Sequence, residues 1–205
     1  MSPLAGSLTA RTLKNVGVFC GANPGSSPAF MTAATALGRQ LASEDVGLVY
    51  GGASKGLMGA VADAAIDHGG RVVGVIPEAL GSREIAHQGL SALHVVGSMH
   101  ERKALMAEHS DAFITLPGGF GTLDETFEVL TWTQIGVHHK PLGLLNVEGF
   151  FDGLIAFADS QVAAGFVQRK HRDMIIVEPD HDALLRKLEI VSLPSTRGWK
   201  NAPAQ

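Results

Sequence analysis

The chain has 205 residues, a net charge of −4, 45% hydrophobic and 18% charged residues, and one cysteine. This is enough for one α/β domain with a full core and far from a disordered composition. The acidic balance argues against a general nucleic-acid binder, the single Cys20 rules out an intramolecular disulfide and fits a reducing cytoplasm, and no apolar run approaches the ~20 residues needed to cross a bilayer.

Residues 1–14 lack the apolar stretch of a secretory signal and read as a loose arm. From Asn15 onward strand and helix patterns alternate. A strand over Val16–Cys20 leads through the turn-rich Gly21–Pro28 to a helix over Ala29–Ser43. A strand over Val46–Tyr50 leads through Gly51–Gly56 to a helix over Leu57–His68. A strand over Arg71–Ile76, an irregular segment from Pro77 to Leu90, a short strand over Leu93–Val96 and a helix over Ser98–His109 follow. Then come a strand at Ala112–Leu116 and a helix from Thr122 to about Gly136. The last elements are a strand over Pro141–Asn146, a helix over Gly149–Ala164, a strand over Met174–Val177 and a helix over His181–Ile190. This alternation predicts a doubly wound parallel sheet with helices on both faces. It forms a single domain over residues 15–193, with 194–205 as a flexible tail.

The chain is organised around Asp111–Glu125, DAFITLPGGFGTLDE. A buried strand stops at Pro117, which cannot donate to a sheet ladder. Gly118, Gly119 and Gly121 let the backbone turn sharply and approach a ligand. The helix start behind them offers free N–H groups and a positive dipole end, which suit a phosphate. A structural reading stands beside this one. Thr122 and Glu125 have the T-x-x-E spacing of a capping box, in which each side chain satisfies a backbone N–H. In a doubly wound sheet the ligand crevice lies beyond the carboxyl ends of the strands. The glycine-rich loops after Cys20, Tyr50 and Leu116 fall there.

Several chemistries find no support. The nine histidines form no H-E-x-x-H pattern, and His138–His139 reads as a polar loop end, so no metal is expected. Cys20 reads as a small residue ending a buried strand. There is no G-x-S-x-G elbow. Gly51–Gly56 does not end in G-K-[ST], and the first loop is not G-x-G-x-x-G, so neither a triphosphate loop nor a dinucleotide cofactor is indicated. A phosphate loop, the cations Arg102 and Lys103, and acids remain. Arg102 suits a two-pronged contact with phosphate, carboxylate or sugar hydroxyls. Lys103 could be a second positive charge, but taken alone it reads better as a solvated helix residue. A phosphate site beside a carboxylate suits cleavage of a nucleotide's glycosidic bond, which passes through a sugar cation. The residues alone leave this among several options.

Taken together, the motifs resemble a known family. Pro117–Glu125 (PGGFGTLDE) matches a P-G-G-x-G-T-x-x-E signature, and Met99–Ala104 (MHERKA) matches a second block. Tyr50-Gly51-Gly52 with Gly56–Gly59, Arg83-Glu84-Ile85, Thr131-Trp132, and Lys140-Pro141 with Gly143–Asn146 also fit. The likeness covers about Val16–Val177 and is to the Lonely Guy family, the cytokinin riboside 5′-monophosphate phosphoribohydrolases. It implies a Rossmann-like fold, a homodimer and no metal or organic cofactor. It also implies hydrolysis of N6-substituted adenosine 5′-monophosphates to the free base and ribose 5-phosphate. By position, Arg102 and Glu125 match the catalytic pair. Glu84, Arg102, Lys103, Gly118, Gly119, Phe120, Gly121, Thr122, Leu123, Asp124, Glu125 and Thr131 match substrate contacts, joined by Gly21, Gly52 and Met99. The chain departs from the family pattern at Ala22, where serine is frequent, and at Ala53, where a third glycine is usual. Alternatives on the same fold are a broad purine monophosphate nucleosidase and a non-catalytic nucleotide or molybdenum-cofactor carrier. Such proteins also bear the label "possible lysine decarboxylase". That chemistry needs an electron sink such as a lysine-held pyridoxal, and no motif here supports one.

Overall fold

The computed structural model describes residues 10–81 and 86–194. Seven parallel strands form one sheet: β1 (Asn15–Phe19), β2 (Gly47–Tyr50), β3 (Val72–Pro77), β4 (Ala92–Val96), β5 (Ala112–Thr115), β6 (Leu142–Leu145) and β7 (Ile175–Glu178). The main helices are α1 (Pro28–Ser43), α2 (Gly56–Asp67), α4 (Met99–His109), α5 (Phe120–Gln134), α6 (Asp152–Ala163) and α8 (His181–Ile190). Two four-residue helices, α3 (Glu78–Gly81) and α7 (Arg169–Arg172), and a 3-10 turn over Val147–Gly149 complete the set among the described residues. Among the described residues no helix is long and apolar enough to cross a membrane.

The strand order is β4-β3-β2-β1-β5-β6-β7. The chain winds outward from β1 to β4, then returns across the sheet to β5, on the other side of β1. The crevice between the carboxyl ends of β1 and β5 is therefore the topological switch point, where such sheets bind ligands. The five inner strands are buried on both sides because helices cover both faces, whereas the edge strand β4 alternates half-buried and exposed residues. On one face Leu37 and Leu41 of α1, Val61 of α2 and Leu184 of α8 close over Val16, Leu48 and Ile114. On the other, Met106 of α4 and Val129 of α5 pack on Phe19, Val49 and Phe113.

The expected elements are present, and their ends show where local sequence misleads. Helix α5 begins at Phe120 with Gly119 as its N-cap and no side-chain cap bond. It does not begin at Thr122, because the glycine turn is tighter than expected. The helix expected from Gly149 starts at Asp152, since Glu148 (φ 52°) and Gly149 (φ 71°) are left-handed and break it. The irregular segment after Pro77 contains α3. The arm expected over residues 1–14 is packed at its end. Leu13 is buried, and Arg11 bonds through its N–H to Glu189 O (2.7 Å) and through its guanidinium to Leu188 O (3.1 Å), at the end of α8. Residues 1–9, Glu84 and 195–205 lie outside the described residues.

Candidate active site

A cleft of about 460 Å³ opens at the switch point, within the size range of small-molecule sites. Its walls come from three loops. The loop after β1 supplies Cys20, Gly21 and Ala22, the start of α2 supplies Leu57 and Met58, and the turn after β5 supplies Pro117 to Gly119. Gly21 joins them: its N–H donates to Pro117 O (3.0 Å), and its carbonyl accepts from the Leu57 N–H (3.0 Å). Gly118, Gly119, Gly121 and Thr122 bring the start of α5 into the cleft. The first backbone N–H groups of a helix have no intrahelical partner, so this wall presents donors and a positive dipole end suited to an anion. Thr122 lies over Gly118, where a Cβ would stand 2.2 Å from its hydroxyl.

On the floor, Arg102 of α4 meets Glu125 of α5. Arg102 Nη1 lies 2.8 Å from Glu125 Oε1, and both residues are buried. Among the described residues Oε1 has no directed donor, so the contact is an ion pair without hydrogen-bond alignment. Arg102 Nε donates to Val75 O on β3 (3.0 Å), which fixes the guanidinium plane. A Cβ on Gly51 would stand 2.2 Å from Arg102 Nη2, so this glycine makes the hole that the guanidinium fills. Helix α4 is held in place by Ser98, whose hydroxyl accepts from the Glu101 N–H (3.2 Å), while Glu101 accepts from the Gly97 N–H (2.8 Å). The reciprocal cap expected at Thr122–Glu125 is thus found one helix earlier. Glu125 stands in the second turn of α5, beyond reach of the helix start.

Burial raises the Glu125 pKa to about 7, against the pull of Arg102. Burial also raises the Cys20 thiol, with the Glu125 charge adding to it, so Cys20 lines the cleft as an inert wall.

The cleft brings together Arg102, Glu125, Gly118, Gly119, Gly121, Thr122, Gly21 and Met99. Six other expected contacts lie elsewhere. Phe120, Leu123, Asp124 and Thr131 stand on the outer side of α5, Phe120 being 93% exposed. Lys103 points to that side, pairing with Asp124 (3.0 Å) and Glu128 (3.1 Å). The cause is helical geometry: each residue turns the helix by about 100°, so Lys103 leaves the face of Arg102, and Thr131, six residues on, stands about 120° from Glu125. Gly52 is left-handed (φ 79°) and packs towards Ile76 and Leu93, which shapes the loop without lining the cleft. Ala53 is buried outside the left-handed region, so alanine suffices there. Sequence reasoning missed Gly51, and also Phe30 and Phe150, which line the cleft and meet edge to face at 5.6 Å.

The fold and site define a doubly wound α/β protein with a helix N-terminus and a buried arginine–glutamate pair facing one switch-point cleft. A family model described as "Possible lysine decarboxylase" matches residues 58–188. The chain is 50% identical over 176 residues to a probable cytokinin riboside 5′-monophosphate phosphoribohydrolase of Oryza sativa subsp. japonica, covering 86% of this chain and 78% of the relative. It is 48% identical over 176 residues to a cytokinin riboside 5′-monophosphate phosphoribohydrolase of Arabidopsis thaliana, covering 86% and 83%. The chain belongs to this phosphoribohydrolase family, the Lonely Guy family. The molybdenum cofactor carrier protein of Chlamydomonas reinhardtii superposes with a TM-score of 0.64 at 22% identity, over 86% of this chain and 98% of the carrier, and shows the fold alone. The decarboxylase description does not suit the site. A Schiff-base lysine must shed its proton, whereas burial of Lys103 is outweighed by its contacts with Asp124 and Glu128, which raise its pKa. Among the described residues no lysine lines the cleft.

Proposed function

We propose that this protein hydrolyses the N-glycosidic bond of N6-substituted adenosine 5′-monophosphates, releasing the free base and ribose 5-phosphate. The observation that carries the reading is the Arg102–Glu125 pair on the floor of a cleft walled by the start of α5. The 5′-phosphate sits on the turn from Gly118 to Thr122. Arg102 holds the ribose phosphate or the departing base. The C1′–N9 bond breaks with its electron pair going to the base, and ionised Glu125 stabilises the sugar cation. Water adds to C1′ as Glu125 takes its proton, and the base is protonated as it leaves. Incubation with N6-isopentenyl-AMP is expected to yield isopentenyladenine and ribose 5-phosphate. No free base from any purine monophosphate would sink the reading, and tight binding without turnover would favour a carrier. Comparing kcat/KM for AMP and its prenylated form decides between this enzyme and a broad nucleosidase.

A homodimer belongs to the same proposal. Phe120, Phe127, Ile135 and Val137, on and just after α5, leave apolar surface exposed. Light scattering is expected to give about twice 21.5 kDa; a lone monomer at working concentration overturns it. A cytoplasmic location fits the single free thiol.

A further inference from the structure

Beneath the cleft lie two buried threonines that the chemistry above does not use. Thr115 ends β5, in register with Phe19 of β1 and Leu144 of β6. Thr126 follows Glu125 on α5, and both threonines are buried. Their hydroxyl oxygens are 2.9 Å apart, and the Thr126 hydroxyl lies 2.6 Å from Thr122 O, to which it donates. A hydroxyl has one proton. Thr126 uses its proton on Thr122, so Thr115 must donate to Thr126. The bonds run one way, from the sheet through Thr126 to the first turn of α5.

This ladder is not needed for helix formation, since the Thr122 carbonyl already has an i→i+4 acceptor role. Nor is it needed for the core, because an apolar pair of the same shape in place of two bonded groups is nearly neutral. What it does is local. A threonine bonded to the carbonyl four residues back bends a helix slightly, and here the bend is tied to a central strand. Its upper end, Thr122, lines the cleft, and Glu125 is adjacent to Thr126. Arg102 has a separate tether, through Nε to Val75 on β3.

We infer that Thr115 and Thr126 are positioning residues that set Glu125 and the start of α5 against the independently tethered Arg102. This rests on the glycosidase reading. A small displacement of a reacting group costs up to about a hundredfold in rate. The double variant Thr115→Val/Thr126→Val is expected to unfold near the wild-type Tm and to lose about ten- to hundredfold in kcat on N6-isopentenyl-AMP, with KM little changed. Thr126→Ser keeps the hydroxyl and is expected to restore most of kcat, which a packing role would not do. A crystal structure of the double variant is expected to show Glu125 moved away from Arg102. Wild-type kcat in the double variant, an equal loss in Thr126→Ser, or an unchanged Arg102–Glu125 separation overturns the inference. Should the double variant fail to fold, Thr115→Val, which keeps the Thr126–Thr122 bond, carries the same comparison. Wild-type turnover is the control: if it is absent, the proposed function fails, and the Arg102–Glu125 separation in the variant crystal decides the positioning role.

Discussion

Arg102 and Glu125 lie 2.8 Å apart on different helices, and each is tied to a different strand. Arg102 reaches Val75 O on β3, while Glu125 is carried by a helix that Thr126 and Thr115 bond to β5. Each partner thus has an anchor besides the ion pair itself. Burial outweighs that attraction and leaves the carboxyl with a pKa of about 7.

Glu125→Gln separates chemistry from structure. The side chain makes no cap bond at the start of α5, so glutamine removes none. It cannot hold negative charge against the sugar cation or take a proton from water. The variant is expected to fold and bind AMP and to lose about a hundredfold or more in kcat. Purified variant retaining over about a tenth of wild-type kcat, well above that loss, refutes the catalytic role.

The raised pKa has opposite consequences for activity and stability. The folded protein keeps the Glu125 proton up to about pH 7, against an ordinary value of 4.5. The stabilisation from that proton is full below the ordinary value and is lost as pH rises through 7. The total is about 3 kcal/mol at the usual energy per pKa unit. Wild type is therefore expected to lose Tm relative to Glu125→Gln between pH 5 and 8, on the order of that shift. Activity moves the other way: the base must be ionised, so kcat is expected to rise through about pH 7. A kcat flat from pH 5 to 8, a range spanning the expected titration, speaks against Glu125 as the base.

The sequence carried the sheet because β-period and helix-period runs alternate with little ambiguity, and the strand ends agree to within a residue or two. Arg102 and Glu125 came from the family motifs. What was not legible depends on tertiary placement. T-x-x-E at Thr122–Glu125 is a valid cap pattern, and only the glycine turn, by starting α5 at Phe120, moves Glu125 out of it. Ser98–Glu101 carries the working cap with no louder local signal. Lys103 shares a motif with Arg102, and Thr131 a helix with Glu125, but both face another side, because neighbours in sequence do not share a helix surface. Gly51 could not be singled out from Gly52, since its role is defined by a side chain on another helix.

Gly51 yields the last expectation. An added methyl would stand 2.2 Å from Arg102 Nη2 and 2.9 Å from Met58 Sδ. Both are the far ends of flexible side chains, not backbone, so Gly51→Ala can be relieved by moving them. The backbone permits it, since Gly51 does not have the positive φ of Gly52. The movement displaces the guanidinium from Glu125 while its Nε tether to Val75 resists. The variant is expected to keep its fold and lose at least about tenfold in kcat/KM, as misplaced catalytic groups do. It also weakens the charge that opposes the rise in the Glu125 pKa, so the acid limb of the pH–rate profile is expected to move upward. Gly52→Ala is the contrast: strain at φ 79° costs about 1 kcal/mol or more in stability, read as a lower Tm, and leaves the acid limb in place. Measuring Tm and the pH profile of both variants checks this, and an unshifted acid limb with wild-type kcat/KM in Gly51→Ala means that the hole beside Arg102 has no catalytic consequence.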